Sequence, residues 1–202
     1  TPPISGGRTE LAVGGSGMGL RVYAVFDSSN TAFNFIKSSN GGTSWTNGTL
    51  PVDADLGIGA DFTRGQAWYD LILQVDPNNA DVVYAGGIDL FRSTNGGSNW
   101  TQISKWSNNN NLAALPCPRV HADQHAITFR PGSSSTVLFG NDGGVFYSAN
   151  ITSAATTSTA ISARNTGYNV TQFYSCAMHP ASGSNNFLAG AQDNGTQRYT
   201  SV

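Results

Sequence analysis

Residues 38–45 read SSNGGTSW, and residues 93–100, which begin 55 positions later, read STNGGSNW. Both stretches follow the pattern Ser-x-Asn-x-Gly-x-x-Trp. An Asn at the third position can accept backbone N–H bonds inside a turn, and a Gly at the fifth can adopt a positive φ. A Trp three residues later can fold back over a sheet. The pattern therefore predicts two self-supporting hairpin turns, built on Ser38, Asn40, Gly42 and Trp45 and on Ser93, Asn95, Gly97 and Trp100.

A longer repeat of roughly fifty residues surrounds these turns. A strand-like stretch, a proline and an apolar run that ends in Gly recur at Pro77, Pro131 and Pro180, with spacings of 54 and 49 positions. A further turn and another short strand follow each of these glycines. Each unit is therefore predicted to form three or four short antiparallel strands.

The composition limits the classes of partner. The 202 residues include 12 acidic and 10 basic side chains, and charged residues make up 11% of the chain, against about 25% in most soluble proteins. The basic residues form no run, which argues against a nucleic-acid partner. No apolar run approaches the ~20 residues of a membrane-spanning helix. Cys117 and Cys176 lie 59 positions apart, and this spacing leaves open whether they form a disulfide.

The two turns resemble Asp-boxes, also called BNR repeats, with Asn in place of the usual Asp. This turn motif occurs in sialidases, sortilins and xyloglucanase-type glycoside hydrolases. Further stretches are similar to secreted propeller proteins of the sortilin and xyloglucanase-like group, which are common in Bacteroidota. These stretches are GQAWYD at 65–70, VHADQHAI at 120–127, GNDGGVFYS at 140–148 and QDNGTQ at 192–197. The resemblance spans nearly the whole chain and implies an all-β fold, a β-propeller, in a secreted or cell-surface protein.

The resemblance implies about three and a half four-stranded antiparallel blades of an incomplete ring. We expect a single partial propeller over 1–202, with blades at approximately 10–50, 68–105 and 119–163 and an unfinished blade at 170–202. Propellers typically have about four to eight blades. If five apolar side chains stay bare on each of two terminal faces, each loses ~1.5–3 kcal/mol of burial free energy. The total loss exceeds the ~5–15 kcal/mol of net stability of a typical domain. We therefore expect the remainder of a longer propeller, or other chains, to complete the ring.

Polar residues are expected to gather at one mouth of the propeller channel. In a propeller, the innermost strands start at the same rim to which the turns between second and third strands return. Aligning the units on their prolines places several residues at the starts of inner strands, namely Tyr69, Asp70, Asp123, Gln124, His125, Gln172 and Tyr174. The corresponding turns contain Asp89, Asp142 and Asp193.

Four residues near this mouth, Arg119, His121, Asp123 and His125, have a period of two, so on an extended strand they would share one face. Three interpretations stay open: ligand or catalytic contacts, a structural hydrogen-bond network, and a metal site at His121, Asp123 and His125 for zinc or a similar ion. We assign no metal or other cofactor. The ligand-binding candidates are Trp68, Tyr69, Arg119, His121, His125, Gln172 and Asp193.

The candidate catalytic residues are Asp142 and a partner, either Asp70 or Asp123. Glycosidase carboxyl groups lie ~5–5.5 Å apart in retaining enzymes and ~6.5–9.5 Å apart in inverting ones. The alternative interpretation makes residues 141–144 a tight turn capped by Asn141. A sialidase is a poor match, because that chemistry uses a Tyr–Glu pair and the chain has a single glutamate, Glu10.

Three functions remain open. The first is a secreted or cell-surface propeller segment for adhesion, which binds a polysaccharide or a surface protein. Trp68 and Tyr69 would then either pack on a sugar ring or belong to the core between blades. The second is part of a xyloglucanase-like glycoside hydrolase that acts on a β-glucan-type polysaccharide. The third is a structural repeat of a large adhesin or filament. Fold resemblance alone does not decide among them.

Overall fold

The computed structural model describes residues 7–55, 61–168, 171–192 and 194–200. The chain divides into two compact units, Thr1–Arg164 and Asn165–Val202. The described strands form three four-stranded sheets in the first unit and one three-stranded sheet in the second. All neighbouring strands in these sheets are antiparallel and follow one another in chain order.

The first unit contains three sheets, here called blades 1 to 3. Blade 1 consists of β1 (Thr9–Gly14), β2 (Arg21–Ser28), β3 (Thr31–Ser38) and β4 (Thr46–Asn47). Blade 2 consists of β5 (Ile72–Asp76), β6 (Asn79–Gly86), β7 (Leu90–Ser93) and β8 (Thr101–Gln102). Blade 3 consists of β9 (Gln124–Phe129), β10 (Val137–Asn141), β11 (Gly144–Ser148) and β12 (Ser162–Ala163).

The helices of the first unit are short. An α-helical turn, α1 (Ala67–Asp70), precedes β5, and 3-10 turns occupy Gly17–Gly19, Asn110–Ala114 and Ile151–Ser153. None of the helices in the described ranges is long and apolar enough to cross a membrane. The second unit, described by itself, contains β13 (Ser175–Met178), β14 (Phe187–Gly190) and β15 (Thr196–Tyr199).

Strand β6 shows why the apolar runs of this chain are continuous rather than alternating. Val83 and Ala85 belong to the core between blades 1 and 2, together with Tyr23 and Phe35 of blade 1. The intervening residues Val82 and Tyr84 belong to the core between blades 2 and 3. Because successive side chains of a strand point to opposite faces, a blade that is covered on both sides needs apolar residues at every position.

The first strands of the three blades, β1, β5 and β9, are neighbours in space. Meander sheets that pack face to face, with their first strands side by side, are blades of a β-propeller. The predicted all-β propeller fold with an incomplete ring is therefore confirmed. The three four-stranded sheets span residues 9–47, 72–102 and 124–163, and the three strands of the second unit lie between residues 175 and 199.

The two Ser-x-Asn-x-Gly-x-x-Trp turns have the hydrogen bonds that their spacing predicts. Asn40 Oδ1 accepts the backbone N–H of Ser44 at 2.9 Å, and Asn95 Oδ1 accepts those of Ser98 and Asn99 at 3.1 and 2.9 Å. The hydroxyls of the leading serines accept the backbone N–H of the fifth residue at 2.8 Å in both turns. Both turns therefore close through their own side chains.

The tryptophans of these turns pack differently. Trp45 lies against the apolar cluster of Ala24, Phe26 and Ile36 within blade 1. Trp100 reaches across to the preceding blade, where its ring meets Phe35 edge-on at 5.4 Å and its indole N–H donates to Thr49 O at 2.8 Å. The second turn therefore also fastens blade 2 to blade 1.

Both cysteines are free thiols, and they belong to different compact units. Cys117 is buried and Cys176 is exposed. Burial, with a smaller contribution from Asp89, raises the pKa of the Cys117 thiol to about 11.

Candidate functional site

The candidate site lies where blades 2 and 3 meet, at the starts of their inner strands. Asp142 occupies the two-residue turn between β10 and β11, and Gly143 N donates to Asn141 Oδ1 at 3.0 Å within that turn. His125 is the second residue of β9. Tyr69 belongs to α1, which directly precedes β5. Side chains from α1 and β9 therefore converge on the turn that carries Asp142.

Asp142 is the polar centre of this site. His125 Nε2 lies 2.6 Å from Asp142 Oδ1, and the Tyr69 hydroxyl donates to the same carboxylate at 2.9 and 3.1 Å. A carboxylate oxygen only accepts, so this contact is a hydrogen bond in the tautomer that carries its proton on Nε2. The Asp142 side chain is 17% exposed and the His125 side chain 34% exposed, so both reach solvent while they bind one another.

An aromatic row leads from this centre to the surface. The Tyr69 ring meets the His125 ring edge-on at 4.7 Å and the Trp68 ring at 5.4 Å. Trp68 is 58% exposed. We call Trp68, Tyr69 and His125 the aromatic row. A large exposed indole beside a carboxylate–imidazole pair offers one apolar face and several hydrogen-bonding groups to a ligand.

The aromatic row is anchored by blade 1. Arg8 Nη1 donates to the backbone carbonyls of Tyr69 at 2.5 Å and Trp68 at 3.3 Å. The same guanidinium is held in place by Glu10, whose Oε1 accepts from Arg8 Nε at 2.9 Å. Sequence analysis missed Arg8, since nothing in the local sequence indicates that it reaches a helical turn about sixty residues away.

Two further carboxyl groups lie beneath the surface. Asp70 is completely buried and Asp123 is 7% exposed. Burial, reinforced by the charge of Asp123, raises the pKa of the Asp70 carboxyl to about 8. Gln66 Nε2 donates to Asp123 Oδ1 at 3.5 Å. Of the three candidate catalytic aspartates, Asp142 is thus the one that extends appreciably into solvent.

The structure corrects the expectation that Arg119, His121, Asp123 and His125 share a strand face. Strand β9 begins only at Gln124, and Asp123 has a φ of +63°. This left-handed residue reverses the alternation, so Asp123 is buried whereas His125 is exposed. Arg119 is exposed and donates to Trp106 O at 3.3 Å. The physical reason is a backbone reversal that a pattern of side-chain types does not reveal.

His121 and Gln124 support the turn that carries Asp142. His121 Nδ1 lies 3.1 Å from Ala122 O. Gln124 is fully buried, donates to His121 O at 2.6 Å, and accepts from Asn141 Nδ2 at 3.3 Å. Within the described ranges, no three His, Cys, Asp or Glu side chains are close enough together to hold a metal ion.

The other sequence-predicted residues are placed as follows. Tyr69 and Asp70 lie in α1 rather than on the inner strand itself. Gln172 is an exposed residue of the second unit, and Asp193 lies outside the described residues. Asp89 occupies the turn of blade 2 that corresponds to that of Asp142, but it is fully buried and accepts hydrogen bonds from Ser104 at 3.2 Å and Gln102 at 3.0 Å.

No family model and no curated protein matches the chain. Among solved structures, it is similar to YCF48 bound to D1 peptide, at a TM-score of 0.40 and 11% identity over 94% of this chain and 53% of that one. It is also similar to a GH74 xyloglucanase from Xanthomonas campestris, at a TM-score of 0.44 and 13% identity over 99% and 24% of the two chains. An ancestral GH74 enzyme matches at a TM-score of 0.34 and 16% identity, over 89% of this chain and 29% of that one.

The chain spans about half the length of the YCF48 chain and about a quarter of the GH74 chains. At this level of identity the likeness concerns the fold and does not transfer a substrate or a partner.

Proposed function

We propose that this chain is a β-propeller module that binds carbohydrate through the aromatic row and Asp142. The observation that carries the proposal is the exposed Trp68 ring, which continues through Tyr69 to the Asp142–His125 pair. The apolar C–H face of a pyranose ring can pack on the indole. Its hydroxyl groups can then donate to the Asp142 carboxylate, which makes strong, directional hydrogen bonds.

We further propose that the protein is secreted or displayed at the cell surface and belongs to the Asp-box group, in the sortilin and xyloglucanase-like branch found in Bacteroidota. The low charge and the two turns that close through Ser and Asn support this assignment. The remainder of a longer propeller, or other chains, would complete the ring, and a surface protein is the other partner that this module would fit.

Glycan-array binding followed by titration calorimetry with the best oligosaccharide tests the proposal. Trp68→Ala should weaken binding by about tenfold or more, because truncation of an aromatic anchor typically costs more than ~1 kcal/mol. Trp106→Ala is the matched control, since Trp106 is 38% exposed and stacks with Arg64 instead. Absence of binding to any glycan, or equal affinity of the Trp68 and Trp106 variants, would contradict the proposal.

Glycoside hydrolysis is the second candidate, because Asp142 combines solvent access with a short contact to His125 Nε2. Such a carboxylate can act as an acid or a base. Release of reducing sugar from a β-glucan that is abolished in Asp142→Asn would favour hydrolysis. Binding without sugar release favours the module, and silence in both assays favours a structural repeat.

A further inference from the structure

The strongest unexplained feature lies below the aromatic row. Asp70 ends α1 directly before the inner strand of blade 2, and Asp123 directly precedes the inner strand of blade 3. Gln66 links the two residues, because its backbone O accepts from Asp70 N at 3.1 Å and its Nε2 donates to Asp123 Oδ1 at 3.5 Å. Asp70 is completely buried and Asp123 is 7% exposed.

The Asp70 carboxyl has no hydrogen-bond partner on any other described residue. Neither of its oxygens receives a hydrogen bond from any residue in the described part of the chain. Buried polar groups are nearly always hydrogen-bonded, since an unsatisfied one loses its hydration without compensation. A buried carboxyl group with both oxygens unsatisfied is therefore unusual, and a bound positive charge would compensate it.

The neighbouring protein groups do not supply this compensation. Arg8 contributes a positive charge, but its guanidinium binds Glu10 and the carbonyls of α1. Asp61 also acts on Asp70 electrostatically, but it is a further carboxylate, and it accepts hydrogen bonds from Thr63 and Gly65.

We propose that Asp70 and Asp123 together bind a hard divalent cation of the Ca²⁺ class. Such a cation satisfies both needs at once, because it supplies positive charge and it is coordinated by oxygen atoms alone. Ca²⁺ accepts carboxylates, backbone carbonyls and water as ligands in flexible geometry. The site differs from a zinc site at His121 and His125, since His125 binds Asp142 on the surface.

A consequence for the fold follows directly. A cation between Asp70 and Asp123 would join the starts of two adjacent inner strands, so it would fasten blade 2 to blade 3 beneath the aromatic row.

Thermal unfolding of the purified chain tests this proposal, in EDTA and then with CaCl₂ added in excess. At about a hundredfold excess over Kd, calcium should raise the Tm of the wild type by ~5–10 °C for a chain of this size. Asp70→Asn and Asp123→Asn should lose this rise. Asp81→Asn, which alters an exposed carboxylate paired with Arg21, should keep it.

A second measurement separates loss of the cation from loss of the fold. In EDTA, Asp70→Asn should still unfold cooperatively, because the amide keeps the size and shape of the buried carboxyl group. Titration calorimetry with CaCl₂ should then show heat for the wild type and none for this variant. No calcium-dependent change in wild-type Tm, or a full calcium response in Asp70→Asn, would overturn the proposal.

Discussion

Gly42 and Gly97 occupy the same position in the two Ser-x-Asn-x-Gly-x-x-Trp turns, yet alanine should be tolerated very differently at the two sites. Both have positive φ, +89° at Gly42 and +73° at Gly97. An alanine in the left-handed region costs roughly 1–2 kcal/mol at either site. The backbone penalty is therefore nearly the same, and the surroundings of the new methyl group decide the difference.

A Cβ at Gly42 would lie 3.5 Å from Trp45 Cζ2, which is an ordinary van der Waals contact. A Cβ at Gly97 would lie 2.6 Å from Phe35 Cζ, inside the ring's van der Waals radius. Phe35 cannot move aside easily, because it is buried between Tyr23 and Trp100. Overpacking of this kind typically adds ~1–3 kcal/mol.

Gly97→Ala should therefore destabilise the chain by about 2–5 kcal/mol, against about 1–2 kcal/mol for Gly42→Ala. At ~2–4 °C per kcal/mol, the Tm values of the two variants should differ by about 2–12 °C. Circular dichroism melts measure this, and Phe35→Leu should restore part of the loss in the Gly97→Ala background. Equal losses in both single variants, or no recovery in the double variant, would refute the steric argument.

Three further outcomes can be checked. Burial, reinforced by Asp53, holds the pKa of Asp89 well above its usual range, so the folded state retains a proton that the unfolded state releases above pH ~4. Calorimetry should therefore show that Tm falls as the pH rises, and that it falls less steeply in Asp89→Asn. Parallel Tm profiles of the two proteins would contradict this origin. A thiol reagent should label exposed Cys176 rapidly and Cys117 only on unfolding, and rapid labelling of both would argue against the buried position. Leu11 and Val13 of blade 1 are exposed, so purified chains should associate through this face, which light scattering would detect. A purified chain that stays monomeric and melts cooperatively would count against a ring completed by other blades.

Much of the fold was predictable because its signals are local. The turn at residues 38–45 needs only its own Ser, Asn and Gly side chains, so eight residues contain the information. The blades repeat with prolines at regular spacing, and the apolar run of β6 is typical of a strand covered on both faces. These features do not depend on distant residues.

The candidate site was predictable only in part. Alignment of the units places Tyr69, His125 and Asp142 at one rim, where the structure brings them into contact. Asp123 has a left-handed backbone and Asp70 is completely buried. Periodicity along one strand assumes extended backbone throughout, so it misplaced Asp123, and it carries no information on how deeply Asp70 is buried.

The turns tied by Asn40 and Asn95 use a neutral amide where the motif they resemble uses an acid. An amide has no proton to gain in acid and no net charge for dissolved ions to screen. These two turns should consequently keep their hydrogen bonds at acidic pH and at high salt concentration.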